Sequence, residues 1–130
     1  MFIIYDMERI GIQSAEIAQM LDYVAAHPQP VDEMIFKLGT AAVQMVTESV
    51  KAAEDKNEAS ALAVISYDDT VDRLFEDAKK ALITAIQSED TDGESCVDML
   101  MIAKYFERIA DHAESIADWA FFAKTGKHAE

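Results

Sequence analysis

The 130-residue chain has one cysteine, two prolines, four glycines and only 11 basic residues against 25 acidic ones, and each shortage removes a class of protein. Cys96 alone cannot build an internal disulfide framework, so a reducing cytoplasm is the expected setting and helix filler the default role of that thiol. Scarce glycine and proline, with 51% hydrophobic and 28% charged residues, exclude disordered, collagen-like and linker-dominated chains. The shortage of positive charge leaves a formal net charge of -14, so the average surface repels phosphate backbones and anionic lipid headgroups. No nucleic-acid partner is expected, and any membrane association is peripheral at most. Metal cations or a basic patch on another protein suit such a surface, although acidity also serves solubility alone. The opening MFIIYDMER has no basic stretch before it and is interrupted by Asp6, Glu8 and Arg9. It reads as neither a signal peptide nor a membrane span.

What is present is helical periodicity. In a first helix, Ile3, Met7, Ile10, Ser14, Ile17, Leu21 and Val24 alternate three and four residues apart, and the seam ends at HPQP, where Pro28 and Pro30 lack amide hydrogens. A second helix spans about residues 31–54, with Val31, Met34, Leu38, Ala41 and Met45 on one stripe. After EDKNEAS, where Asp55 or Asn57 can cap, a third helix over about 58–87 carries Val64, Asp68, Val71, Phe75 and Leu82. SEDTDGES makes the next turn, with Thr91 and Glu94 at capping-box spacing. A fourth helix over about 92–124 follows and stops at Gly126, a normal place for a left-handed end residue. Sustained period-two alternation is missing, so no strand is expected. Short connections predict an all-α, antiparallel up-and-down bundle of four long helices.

Chemistry concentrates in carboxylates. Asp68 and Asp72, and Glu107 and Asp111, lie four apart, which stacks like charges on one helix face. Two such pairs on adjacent antiparallel helices can converge into an oxygen-rich site for a hard or borderline cation. The repulsion within an isolated pair is only about 0.2–0.5 kcal/mol, so a solvated acidic face, extended by Glu114, Asp118, Asp69 and Glu76, explains the pairs equally well. Asp68 is different. Inside an apolar seam, a buried unpaired carboxylate costs several kcal/mol, and Arg73, Arg108 or a cation must compensate it. Arg9 and Arg108 read as salt-bridge partners across the bundle. His112 follows Asp111 and points about 100° away from it, which makes it a poor ligand; His27, beside the proline turn, and His128, near the end, suggest no site. The seven methionines are scattered as core filler. No glutamate has a histidine three residues on, as a di-iron bundle requires, and no Gly-rich phosphate loop or nucleophile frame occurs. No catalysis is expected.

Residues 8–18, ERIGIQSAEIA, echo residues 107–117, ERIADHAESIA, at an offset of 99. Such an echo indicates two copies of one helical unit. Residues 1–27 then read as the last helix of an incomplete first unit and residues 31–126 as a complete three-helix unit. YFERIADHAESIADWAFFAKTGK resembles the closing helix of the PhoU family, ISYDDTVDRLF resembles that family's preceding helix with its D-x-x-x-D pattern, and MERIGIQSAEIAQM resembles the end of its first unit. The match covers helices one, three and four, and helix two by length and pattern. The resemblance implies a cytoplasmic regulator of phosphate uptake and phosphate-starvation signalling, in contact with a phosphate ABC transporter and a sensor histidine kinase. It also implies metal binding through paired carboxylates, here Asp68, Asp72, Glu107 and Asp111, to divalent or trivalent ions such as iron, Mn, Mg, Ca or Zn. One departure is Ile12, which breaks the carboxylate pair of the first copy.

The alternative reading is a metal-free acidic bundle that binds a basic or amphipathic partner helix. Phe2, Ile3, Ile4, Tyr5 and Ile12 give the first helix more apolar surface than one seam hides, and exposed apolar patches mark interfaces. A homodimer, or exchange of the first helix between chains, is expected.

Overall fold

A computed structural model describes residues 2–126, which form α1 (Phe2–Ala26), α2 (Asp32–Asp55), α3 (Glu58–Ile86) and α4 (Gly93–Thr125). Among the described residues no strand occurs and no helix is long and apolar enough to cross a membrane. The expected all-α bundle is the observed one. His128 and the Phe2 side chain lie outside the described residues.

Helix ends follow local chemistry. α1 stops before Pro28, and the proline turn is tied down where the Gln29 amide donates to Asp32 Oδ2 at 2.9 Å. Of the two expected caps for α3, Asn57 serves: its backbone is extended and its side chain accepts from the Ser60 amide at 3.0 Å. The expected Thr91–Glu94 box does not cap α4. Asp92 does, accepting from the Ser95 amide at 2.9 Å while also accepting the Tyr23 hydroxyl at 2.9 Å. One carboxylate oxygen thus serves donors from two helices. These bonds, led by the Ser95 amide, hold Asp92 below the usual carboxylate range. Gly126 ends α4 at φ 76°, in the left-handed region that glycine adopts without strain.

α4 lies against all three other helices, α2 and α3 also touch, and α1 approaches only α4 among the described helices. Its residues explain this reach: Ala103, Ala110, Ala113, Ala117 and Ala120 are buried, small enough to let neighbours come close. Leu38, Met45, Val71 and Ile116 fill the centre with almost no exposure. Gly39 serves one close approach, because a Cβ there would stand 2.7 Å from the Phe106 ring.

The α1 seam differs from expectation. Ile10, Ile17 and Val24 do face α4, but Met7 and Leu21 are about half exposed, and Asp6 and Gln13 are buried instead. The helix is therefore turned roughly 50° from the seam read off its apolar residues. The reason lies across the interface, where His112 Nδ1 sits 2.8 Å from Asp6 Oδ1. A carboxylate with an imidazole partner can be buried where one without cannot. This pair and the Tyr23–Asp92 bond, joining residues 6 to 112 and 23 to 92, also show α1 and α4 running antiparallel.

Truncating the two partners should have unequal effects. His112→Ala leaves Asp6, 5% exposed at its side chain, buried without its partner, and is expected to cost about 3 kcal/mol. Asp6→Ala leaves the His112 side chain 22% exposed to water, and is expected to cost about 1 kcal/mol. Urea unfolding of both variants checks the order; equal losses would rule out this asymmetry.

Candidate metal centre

The α3 register puts Val64, Val71 and Phe75 into the core, so Asp68, at the intervening seam position, is carried half-buried to the α3–α4 border. Asp72, one turn on, is exposed beside it. On α4, Ile109, Ala110 and Ala113 are buried, which turns Asp111 outward on the same border. One carboxylate oxygen each from Asp68, Asp72 and Asp111 lies within 4.8 Å of the others. That spacing fits one ion, since two oxygens on opposite sides of a cation at about 2.1–2.4 Å stand between 4 and 5 Å apart.

Glu107 stands next to this trio rather than in it. Lys104 Nζ bonds to its Oε1 at 2.6 Å and lies 5.3 Å from the Phe75 ring centre. Its charge still acts on the site, raising both Asp72 and Asp111. Sequence reasoning placed Glu114 on the solvated face, yet after burial it is the largest influence raising Asp68. The signal was present in the spacing: residues 107, 111, 114 and 118 follow one another at four, three and four on a single α4 face.

Positive compensation from arginine is missing. Among the described residues Arg9 and Arg108 enter no ion pair, contrary to the cross-bundle pairing expected of them; the Arg108 guanidinium lies 5.9 Å from the centre of the Tyr105 ring. Arg73 donates to Thr70 Oγ1 at 3.4 Å within its own helix. Asp68 Oδ1 is buried with no hydrogen-bond partner. The carboxylates hold protons unusually well as a result. Burial, the neighbouring Glu114 carboxyl and the charges of Asp72 and Asp69 push Asp68 to about 7. Burial, then Asp68, Glu107 and Asp72, push Asp111 to about 6, and burial with Glu107, Asp69 and Glu76 raises Asp72. Protons or a cation would each relieve such a site. Its all-oxygen donors suit Mg, Ca, Mn or iron ions better than soft metals.

An all-α bundle with opposed carboxylate pairs at one interhelical border is the class that fold and site define. A family model described as the PhoU domain matches residues 35–120, and the chain belongs to the PhoU family. Similar relatives carry the name phosphate-specific transport system accessory protein PhoU homolog. That of Zymomonas mobilis is 32% identical over 93% of this chain and 52% of its own length. That of Clostridium acetobutylicum is 26% identical over 98% of this chain and 59% of its own length. That of Pseudomonas aeruginosa is 28% identical over 95% and 52%. The chain thus spans about half the length of the curated relatives it matches.

The raised carboxyls fix the sign of a pH effect. An unfolded aspartate releases its proton near pH 4, whereas the folded site keeps protons up to about pH 6 to 7. Their contribution to stability is full below pH 4 and is lost as pH rises to about 7. The thermal midpoint of metal-free protein should fall over that window, and Asp68→Asn should flatten the fall. Added Mn ions at pH 7.5 should restore the midpoint of the wild type and not of the variant. Parallel pH curves for the two proteins would refute the assignment.

Proposed function

We propose that this chain regulates phosphate uptake and phosphate-starvation signalling by protein contact, with a cation held by Asp68, Asp72 and Asp111 and supported by Glu107. Membership of the PhoU family and the names of its relatives support the phosphate role. One observation carries the metal: the buried Asp68 oxygen with no partner, beside two further carboxylates and no arginine. Divalent or trivalent ions fit these donors. Phosphate itself docks on so acidic a chain only where a bound cation reverses the local sign.

In this reading the chain acts in the cytoplasm without catalysis, and its partners are a phosphate ABC transporter and a sensor histidine kinase. Residues 1–27 are the last helix of one three-helix unit and residues 31–126 a complete second unit. Self-association belongs to the same reading, because Ile4, Tyr5, Met7, Ile12 and Leu21 of α1 remain exposed. A second reading, the metal-free acidic module that grips a basic or amphipathic helix, is favoured by the exposure of Asp72 and Asp111 and by Glu107 already having its own lysine.

Elemental analysis of untagged protein, purified without chelator, separates the two. The expected result is bound metal in the wild type and its loss when Asp72→Ala and Asp111→Ala are combined. Wild-type protein free of metal would favour the second reading. Metal retained by the double variant would place it elsewhere.

A further inference from the structure

α1 and α2 both pack on α4 but not on each other, which leaves a trough between them with Phe106 on its floor. Three adjoining hollows run along it, about 270, 230 and 330 Å³ in volume, and Phe106 borders all three. The α2 wall is the stripe Phe36, Thr40, Val43 and Thr47, spaced four, three and four apart, with Phe36 74% and Val43 60% exposed. Ser14, Leu21 and Ala25 belong to the facing wall of α1. Among residues lining the three hollows Asp32 alone carries a charge, and one of its oxygens is engaged by the Gln29 amide.

We infer that a second copy of this chain lays the outer stripe of its α2 into this trough, and receives the same stripe in return. Charge is the first reason. On a chain of net charge -14, two copies repel wherever acidic faces meet, and an uncharged strip is where they can close; a basic partner helix would find no countercharge in it. Shape is the second. Phe36 and Val43 are equidistant from a point between Gly39 and Thr40, so a two-fold axis there sets Phe36 of each copy opposite Val43 of the other, as an isologous contact requires. The hollow bordered by Phe36, Gly39, Thr40, Val43 and Phe106 lies at that same point. This inference rests on the self-association reading above and deepens it by naming the surface; it is independent of the metal.

Sedimentation equilibrium from about 1 to 100 µM tests it. The wild type is expected at twice the 14.4 kDa chain mass, with tighter association in 0.5 M than in 0.05 M NaCl as charge repulsion is screened. Phe36→Glu and Val43→Glu, at exposed positions, should each weaken association at least tenfold with unchanged helical circular dichroism. Ile83→Glu, at an exposed apolar position on α3, should not. Oxidised Thr40→Cys chains should link to one another, and Thr84→Cys chains, carrying the change on α3, should not. A wild type that stays at one chain mass throughout would overturn self-association and trough together. A dimer that withstands Phe36→Glu and Val43→Glu, as exchange of α1 would produce, overturns the trough alone; so does cross-linking at residue 84 without cross-linking at 40.

Discussion

Packing of α3 on α4 holds three aspartates with oxygens within 4.8 Å of one another and supplies no arginine to neutralise them. The proposed site depends on that enforced nearness of like charges. Within one helix the repulsion would be a few tenths of a kcal/mol, and an isolated α3 or α4 would tolerate it by turning side chains into water. Across two helices the backbones are fixed by Val71, Phe75, Ile109 and Ala113, and Asp68 keeps one oxygen out of water. The core thus stabilises what electrostatics opposes, a division of costs common to sites built for ligands. Protons relieve the conflict in acid; near neutrality a multivalent ion is the fitting substitute.

α4 carries the architecture as well as half the centre. Its buried positions run round most of the helix, from Cys96 and Met99 through Ile102 and Ile109 to Ile116 and Ala120, because three neighbours need three faces. α1 is the exception in this plan, held by an apolar strip with polar contacts at its two ends. At one end Asp6 meets His112; at the other Tyr23 meets Asp92, and Ser95 Oγ donates to the His27 carbonyl at 2.9 Å.

The fold was legible because period and punctuation agree: HPQP, EDKNEAS and SEDTDGES separate stripes too long and too regular for strands. The convergence of Asp68 and Asp72 with Asp111 was legible from four-residue spacing combined with short connections. What escaped depends on partners far away in sequence. A reading of α1 by hydrophobicity alone cannot know that His112, 106 positions later, rewards burial of Asp6 and so rotates the helix. Asp92 overrides the Thr91 capping box for the same reason, since the Tyr23 hydroxyl arrives from another helix. Glu107 was drawn off the trio by a lysine three residues before it, and Arg108 settled over Tyr105 rather than reaching across.

The alanines of α4 act as spacers. Ala110 and Ala113 bracket Asp111 along the chain and have no measurable exposure, so the smallest apolar side chains help gauge the separation between its backbone and those of its neighbours. A single added methyl group at a packed site displaces its surroundings, and on this helix such a displacement would be felt at the carboxylates. Tolerance to substitution on α4 is therefore a matter of address more than of chemistry: outward Lys124 can change freely, while a hidden alanine sets the spacing of the carboxylates.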